Sequence, residues 1–285
     1  MINGDTELIA HIGYPTHTFK SPMIYNPYFA HAGINAVVMP MGCQAPAYPD
    51  FLRSVFQLSN IRGALITMPH KVTTVGLVDV TSATVKIAGA CNAVRRMPDG
   101  RLQGDLFDGE GFVRGLRRKG FEPQGQRMLV VGTGGVGSAI AASLAATHPA
   151  CLNLNDINPA AAQGLAQRLR SHHPDVEVVV GPNDPADMDL VVNATPLGMN
   201  EGDPMPMDMD RLSAHTFVGE VVLKQHMTAF LQAAQARGCA FQVGSDMLFE
   251  QIPAYLEFFG LPTTTPEQLR RLARLSEPTP ERIPA

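Results

Sequence analysis

The sequence predicts an α/β protein in which an N-terminal α/β domain precedes a doubly wound parallel sheet. Short, uniformly apolar strand candidates alternate with helical patterns along most of the chain, the pattern of parallel strands covered on both faces. A glycine-rich turn over residues 132–137 joins an apolar strand to a small-residue helix. The 285 residues, 45% of them hydrophobic, suffice for two cores.

In the first hundred residues, strands are expected at 8–13, 36–40 and 64–68, with helices after Ser21-Pro22 and over 49–58. A helix over 109–119 leads into a Gly-Phe-Glu-Pro-Gln-Gly junction at 120–125. Beyond it the order is strand 128–131, helix 139–146, strand 152–156, helix 159–172, strand 176–180 and strand 190–194. Strand 216–223, helix 227–237 and strand 239–243 complete the second sheet. An apolar helical stretch over 246–259 contains Pro253, which is expected to kink or interrupt it. A short helix over 266–275 and a loose tail over 277–285 close the chain.

The turn Gly132-Thr133-Gly134-Gly135-Val136-Gly137 follows the G-x-G-x-x-G spacing of a dinucleotide-binding Rossmann unit. Gly132 suits the tight turn, Gly134 a close approach of backbone to pyrophosphate, and Gly137 close helix-to-strand packing. Free amides at the helix N-terminus, expected at Ser138, would face phosphate. Asp156 ends the next strand, nineteen positions beyond Gly137. A carboxylate there accepts hydrogen bonds from the ribose hydroxyls and repels a 2′-phosphate, which favours NAD over NADP. Its other reading is a cap for the helix near Pro159. No Arg or Lys lies between Cys151 and Gln167, so no nearby cation could neutralise an extra phosphate.

A net charge of −4 with scattered Lys and Arg gives no basic stripe for nucleic acid or an anionic membrane. No apolar run approaches about 18 residues, and the first residues lack a secretory pattern; a cytoplasmic protein is expected. The four cysteines and nine histidines show no metal-ligand spacing, so reduced thiols and no metal are expected.

Polar residues gather at three predicted strand ends: Thr67-Met68-Pro69-His70-Lys71, Gly89-Ala90-Cys91-Asn92 and Gly104-Asp105-Leu106-Phe107-Asp108-Gly109. Ligands of parallel α/β sheets collect beyond such ends. Lys71 beside Asp108 could act as an acid/base pair, because a lysine in a desolvated cleft can exchange its proton. The plainer reading is a surface lysine and a turn Asp-Gly.

With Lys20-Ser21-Pro22, Asn193-Ala194-Thr195-Pro196-Leu197-Gly198-Met199 and Gly244-x-x-Met247-Leu248-x-x-Gln251 added, seven elements lie in order, and the sequence resembles the shikimate and quinate dehydrogenase family. The resemblance implies residues 1–108 with 245–285 as substrate domain and 109–244 as an NAD-binding Rossmann domain. It implies that Lys71 transfers a proton and Asp108 orients it. Thr67, Asn92, Asp108 and Gln251 would contact ring hydroxyls, and Ser21 one side of a substrate carboxylate. The glycine loop, Asp156, Ile157, Asn193, Ala194, Thr195, Pro196, Val221, Gly244, Met247 and Leu248 would line the cofactor crevice. Gln251 as a solvent-facing helix residue and Asn193 as a strand-end turn residue remain the structural alternatives. The resemblance also implies the shikimate pathway of aromatic amino acid biosynthesis, and allows a homodimer.

Several positions depart from the family pattern. Phe19 stands where a second carboxylate-binding serine is usual, a loss of about 1–3 kcal/mol unless Thr18 or His17 replaces it. Leu106, Phe107 and Leu223 make the pocket less polar, and Asp156-Ile157-Asn158 replaces a phosphate-binding N-R-T. The expectation is therefore an NAD-preferring oxidoreductase acting on CH–OH of shikimate or a related hydroxylated ring carboxylate, with low shikimate activity. Quinate or aminoshikimate are its alternative substrates. A non-catalytic NAD- or metabolite-sensing protein is the alternative from another class, and a folate-linked methylene dehydrogenase is weaker still.

Overall fold

A computed structural model describes residues 2–224 and 227–275. The N-terminal part comprises β1 (Glu7–Gly13), α1 (Pro22–Ala32), β2 (Ala36–Gly42), α2 (Tyr48–Val55), β3 (Ile61–Ile66), α3 (Lys71–Val75), β4 (Val80–Thr81), α4 (Ala83–Ala88), β5 (Ala93–Arg96) and β6 (Leu102–Asp105). Its sheet has the order β2-β1-β3-β5-β6-β4. The pairings at β1 and between β4 and β6 are parallel, whereas β5 runs antiparallel to β3 and β6. The sequence shows β1, β2 and β3 as apolar runs; β4, β5 and β6 carry too few apolar residues to stand out.

Side-chain alternation on β1 separates two cores. Ala10 and Ile12 pack with Tyr48 and Leu52, and Ile9 packs with Tyr25, Phe29 and Phe259 on the other face. His11 shares the Ile9 face, one pleat nearer the strand's carboxyl end.

The second sheet is parallel throughout, ordered β12-β11-β10-β7-β8-β9. Its elements are β7 (Arg127–Val131), α6 (Gly135–Ala145), β8 (Cys151–Asn155), α7 (Pro159–His172), β9 (Glu177–Val180), β10 (Leu190–Asn193), β11 (Phe217–Glu220), α8 (Ala229–Ala236) and β12 (Phe241–Gln242). This is the doubly wound arrangement, with the chain reversing direction between β7 and β10.

Between the sheets run α5 (Asp108–Arg118) and α9 (Gly244–Phe259), with α10 (Pro266–Leu272) beside α9. Buried Asp246 on α9 receives Arg118 at 3.2 Å, Lys119 at 3.1 Å and Arg270 at 2.6 Å, and Arg118 also pairs with Glu250. One carboxylate thus ties α5, α9 and α10 together. The expected break at Pro253 does not occur: α9 is continuous from Gly244 to Phe259. Pro253 and most of that helix are buried, and packing on two sides outweighs one missing backbone hydrogen bond. The tail over 277–285 lies outside the described residues. Among the described residues no helix is long and apolar enough to cross a membrane.

Candidate active site

The loop after β3 carries Thr67 and leads into Lys71 at the start of α3. Two buried contacts fix it: the His70 ring stacks on Tyr48 at 3.8 Å, and its Nε2 lies 2.8 Å from the Cys43 carbonyl. The Lys71 carbonyl accepts from the Cys91 amide at 2.9 Å. Asn92, the next residue, is 1% exposed and accepts the Phe107 amide on Oδ1 at 3.0 Å. That bond fixes the chain where it turns into α5, whose first residue is Asp108. The helix N-terminus favours a carboxylate there.

Lys71 Nζ donates to Asp108 Oδ2 at 2.6 Å in a half-buried ion pair. Lys71 is thus paired and partly buried rather than fully exposed. Gln251 lies on α9 against Gly111, in the first turn of α5; its Oε1 is buried without a partner, so it is not solvent-facing. Asn92 Nδ2 is also buried and unpartnered. Ser21 is the N-cap residue of α1, and its side chain makes no capping bond. Neither substitute for the missing serine is built in, since Thr18 Oγ1 donates to the Pro15 carbonyl at 3.2 Å and His17 is exposed. A surface hollow of about 620 Å³ between Ile2, Asn26 and Val37 has no titratable side chain among the described residues that line it.

His11 escaped the sequence reading, although a histidine in an otherwise apolar strand is a usable signal. It is 6% exposed, and its ring stacks on Phe19 at 4.1 Å and 29°. Burial, reinforced by the Lys71 charge, lowers it to about 4. In the unfolded chain the ring would take up a proton near its ordinary value of 6.5. The stability gained from holding it neutral is therefore present above pH 6.5 and is lost as pH falls toward 4. The wild-type melting temperature is expected to fall more steeply across that window than that of His11→Gln. Parallel curves would refute this assignment.

In the second sheet, α6 begins at Gly135 with Gly134 as its cap, not at Ser138 as expected. The Ser138 amide is already bonded to the Gly134 carbonyl at 2.8 Å, because the glycine loop enters the helix directly. Gly132 has φ +96°, and a Cβ on Gly137 would lie 1.9 Å from the Gly132 carbonyl oxygen. A Cβ on Gly134 or Gly135 would meet nothing within 4 Å. This open cradle beside unsatisfied first-turn amides fits a pyrophosphate.

Asp156 Oδ2 accepts from the Thr133 amide at 2.6 Å and the Thr133 hydroxyl at 2.8 Å, and Oδ1 accepts from the Asn158 amide at 2.8 Å. Burial opposes its charge, but these bonds hold its carboxyl below the usual range. The helix-cap reading fails: Asn158 caps α7. Ile157 is fully exposed beside it, and Val136 and Val221 are half-buried.

Asn193 takes the turn role. It is fully buried, with Oδ1 accepting from Thr195 and Nδ2 donating to the Leu197 carbonyl and to Glu220. No polar atom is left for a cofactor, so Asn193 acts by shaping the Ala194-Thr195-Pro196 loop. Burial pushes the Glu220 carboxyl up; this second unanticipated residue anchors Asn193 and Thr228. Met247 is buried in the hydrophobic cluster that also holds Phe112. Gly244 lies against the Val222 carbonyl, and Leu248 is half-buried against the α1–α9 core.

Fold and site together define an oxidoreductase that acts on CH–OH with a nicotinamide dinucleotide. Residues 11–94 match the sequence profile of the shikimate dehydrogenase substrate binding domain. The shikimate dehydrogenase (NADP(+)) of Rubrobacter xylanophilus is 36% identical over 254 residues, 88% of this chain and 89% of that protein. Shikimate 5-dehydrogenase from Listeria monocytogenes, solved with shikimate and NAD, superposes with a TM-score of 0.89 at 26% identity, covering 95% of this chain and 97% of that one. Quinate dehydrogenase from Corynebacterium glutamicum, solved with NAD, gives 0.83 at 28% identity, covering 94% and 99%. The chain belongs to the shikimate dehydrogenase family.

Proposed function

We propose that this chain is an NAD-dependent dehydrogenase that interconverts a secondary alcohol and a ketone on a hydroxylated six-membered ring of the shikimate type, turning over shikimate itself slowly. The observation that carries this reading is the Lys71–Asp108 pair at 2.6 Å; Asn92 Nδ2 and Gln251 Oε1, on the segments before and against α5, are buried without a partner. Residues 1–108 and 245–285 form the substrate side in this reading, and residues 109–244 the cofactor side. The Gly120–Gly125 segment falls within the cofactor side, between α5 and β7.

A nicotinamide dinucleotide held by the glycine loop would supply hydride transfer to and from the carbinol carbon. In its neutral amine form Lys71 Nζ takes the hydroxyl proton during oxidation and becomes the ammonium, which gives that proton to the carbonyl oxygen during reduction. Asp108 fixes the direction of the ammonium through its hydrogen bond, and Thr67, Asn92 Nδ2 and Gln251 Oε1 orient the neighbouring ring hydroxyls. Gly134 and Gly135 leave room for the pyrophosphate, and Asp156 reads the adenosine ribose.

NAD rather than NADP is supported by the lowered Asp156 carboxyl and by the absence of Lys or Arg between Cys151 and Gln167. The relatives named NADP(+)-dependent make this the point to test. Reduced-nicotinamide absorbance is measured with NAD and NADP against shikimate, quinate and aminoshikimate. NAD is expected to support turnover of at least one of these acids. Asp156→Ala, by removing a charged acceptor worth about 1.5–3 kcal/mol, is expected to raise KM for NAD by at least about tenfold and to change that for NADP less. A wild-type preference for NADP would overturn the role of Asp156.

A further inference from the structure

Three buried side-chain atoms without a hydrogen-bond partner belong to neutral groups of β1, the segment before β5 and α9: His11 Nδ1, Asn92 Nδ2 and Gln251 Oε1. Folded proteins leave few such atoms unpaired, so each one marks a group that a ligand can satisfy. The two remaining atoms of this kind among the described residues have other surroundings. Gln242 Oε1 sits against Gly115 of α5, and Asp246 Oδ2 faces Lys119 at 3.1 Å.

His11 lies between two features of the site. On one side its ring covers Phe19, two residues before Ser21, whose hydroxyl makes no capping bond; on the other it feels the Lys71 charge. That charge is already matched by Asp108 at 2.6 Å, and Lys20 is exposed to solvent. The corner therefore offers an uncharged ring nitrogen, one hydroxyl and an aromatic face. A carboxylate brought here gives up its hydration and meets only neutral donors with no unmatched cation, which costs about ten- to a hundredfold in affinity. A hydroxyl both donates and accepts, as does a neutral imidazole.

We propose that His11 and Phe19 form a neutral recognition corner that selects ring substrates bearing an uncharged hydrogen-bonding substituent, such as a hydroxymethyl group, over those bearing a free carboxylate, with His11 bonding that substituent. This rests on the cleft being the substrate site of the dehydrogenase described above. It also agrees with the slow turnover of shikimate proposed above.

The test is calorimetric titration of the full chain with NADH present, so that no turnover occurs. The ligands are shikimate and its analogue with the carboxylate reduced to hydroxymethyl, which have the same ring hydroxyls. The analogue is expected to bind at least about tenfold more tightly. His11→Val removes that advantage, and His11→Gln, which keeps a neutral hydrogen-bonding group, restores part of it. Tighter binding of shikimate, binding of neither ligand, or an unchanged ratio in folded His11→Val would overturn the proposal. Oxidation of both ligands with NAD or NADP is measured alongside. If the analogue binds preferentially but neither ligand is oxidised, the recognition corner stands and the dehydrogenase reading falls.

Discussion

Lys71→Met is expected to lower kcat by about 10²–10⁴-fold, the usual contribution of a positioned acid/base group, while dinucleotide affinity stays at the wild-type value. The separation follows from where the parts sit. Lys71 enters α3 from the first sheet, whereas the open glycine cradle follows β7 in the second. Asp108→Asn is expected to show the same split, because it removes the charge that aims the ammonium and leaves a neutral amide at the start of α5. Steady-state rates with the best substrate, paired with titration of NADH fluorescence, measure both quantities. A Lys71→Met variant turning over at the wild-type rate would remove Lys71 from the mechanism. A variant that also lost the dinucleotide would point to disruption of the cleft as a whole.

The second large effect is expected at the glycine loop, where two neighbouring substitutions should fail differently. In Gly137→Ala the new methyl would lie 1.9 Å from the Gly132 carbonyl oxygen and 3.2 Å from Ala194 Cβ. Backbone must move, and overpacking of this kind costs about 1–3 kcal/mol or more. Both melting temperature and dinucleotide affinity should fall, the latter by about ten- to a hundredfold. Gly134→Ala meets nothing within 4 Å and has a φ of −65° that any L-residue adopts. Its melting temperature should hold while affinity drops, since the methyl enters the space kept for phosphate. Thermal scans with NADH titrations distinguish the two. Unchanged affinity in Gly134→Ala would mean that the pyrophosphate lies elsewhere.

What was legible in advance follows from how local each signal is. The strands β1, β3, β7 and β10 are continuous apolar runs because both faces of their sheets are covered. β5 and β6 were missed because short strands holding Arg95, Arg96, Gln103 and Asp105 owe their place to their neighbours rather than to a hydrophobic pattern. Pro253 misled because propensity registers the missing amide and not the burial that outweighs it. The site residues divide in the same way. Lys71, Asp108, Asn92 and Gln251 stood out from the motifs. Asn193 and Met247 stood out equally, yet the fold spends Asn193 on a turn and Met247 on a core.

By itself the sequence determined the α/β class, the glycine loop with its following carboxylate, and the candidate acid/base pair, because each is written in contiguous residues whose backbone demands are local. Only the tertiary structure decided that Lys71 and Asp108 meet, that Asn158 rather than Asp156 caps α7, and that His11 stands neutral under Phe19. Contact, burial and the loss of hydration arise when distant segments pack together, and it is that packing which decides whether a polar atom is satisfied, charged, or left for a ligand.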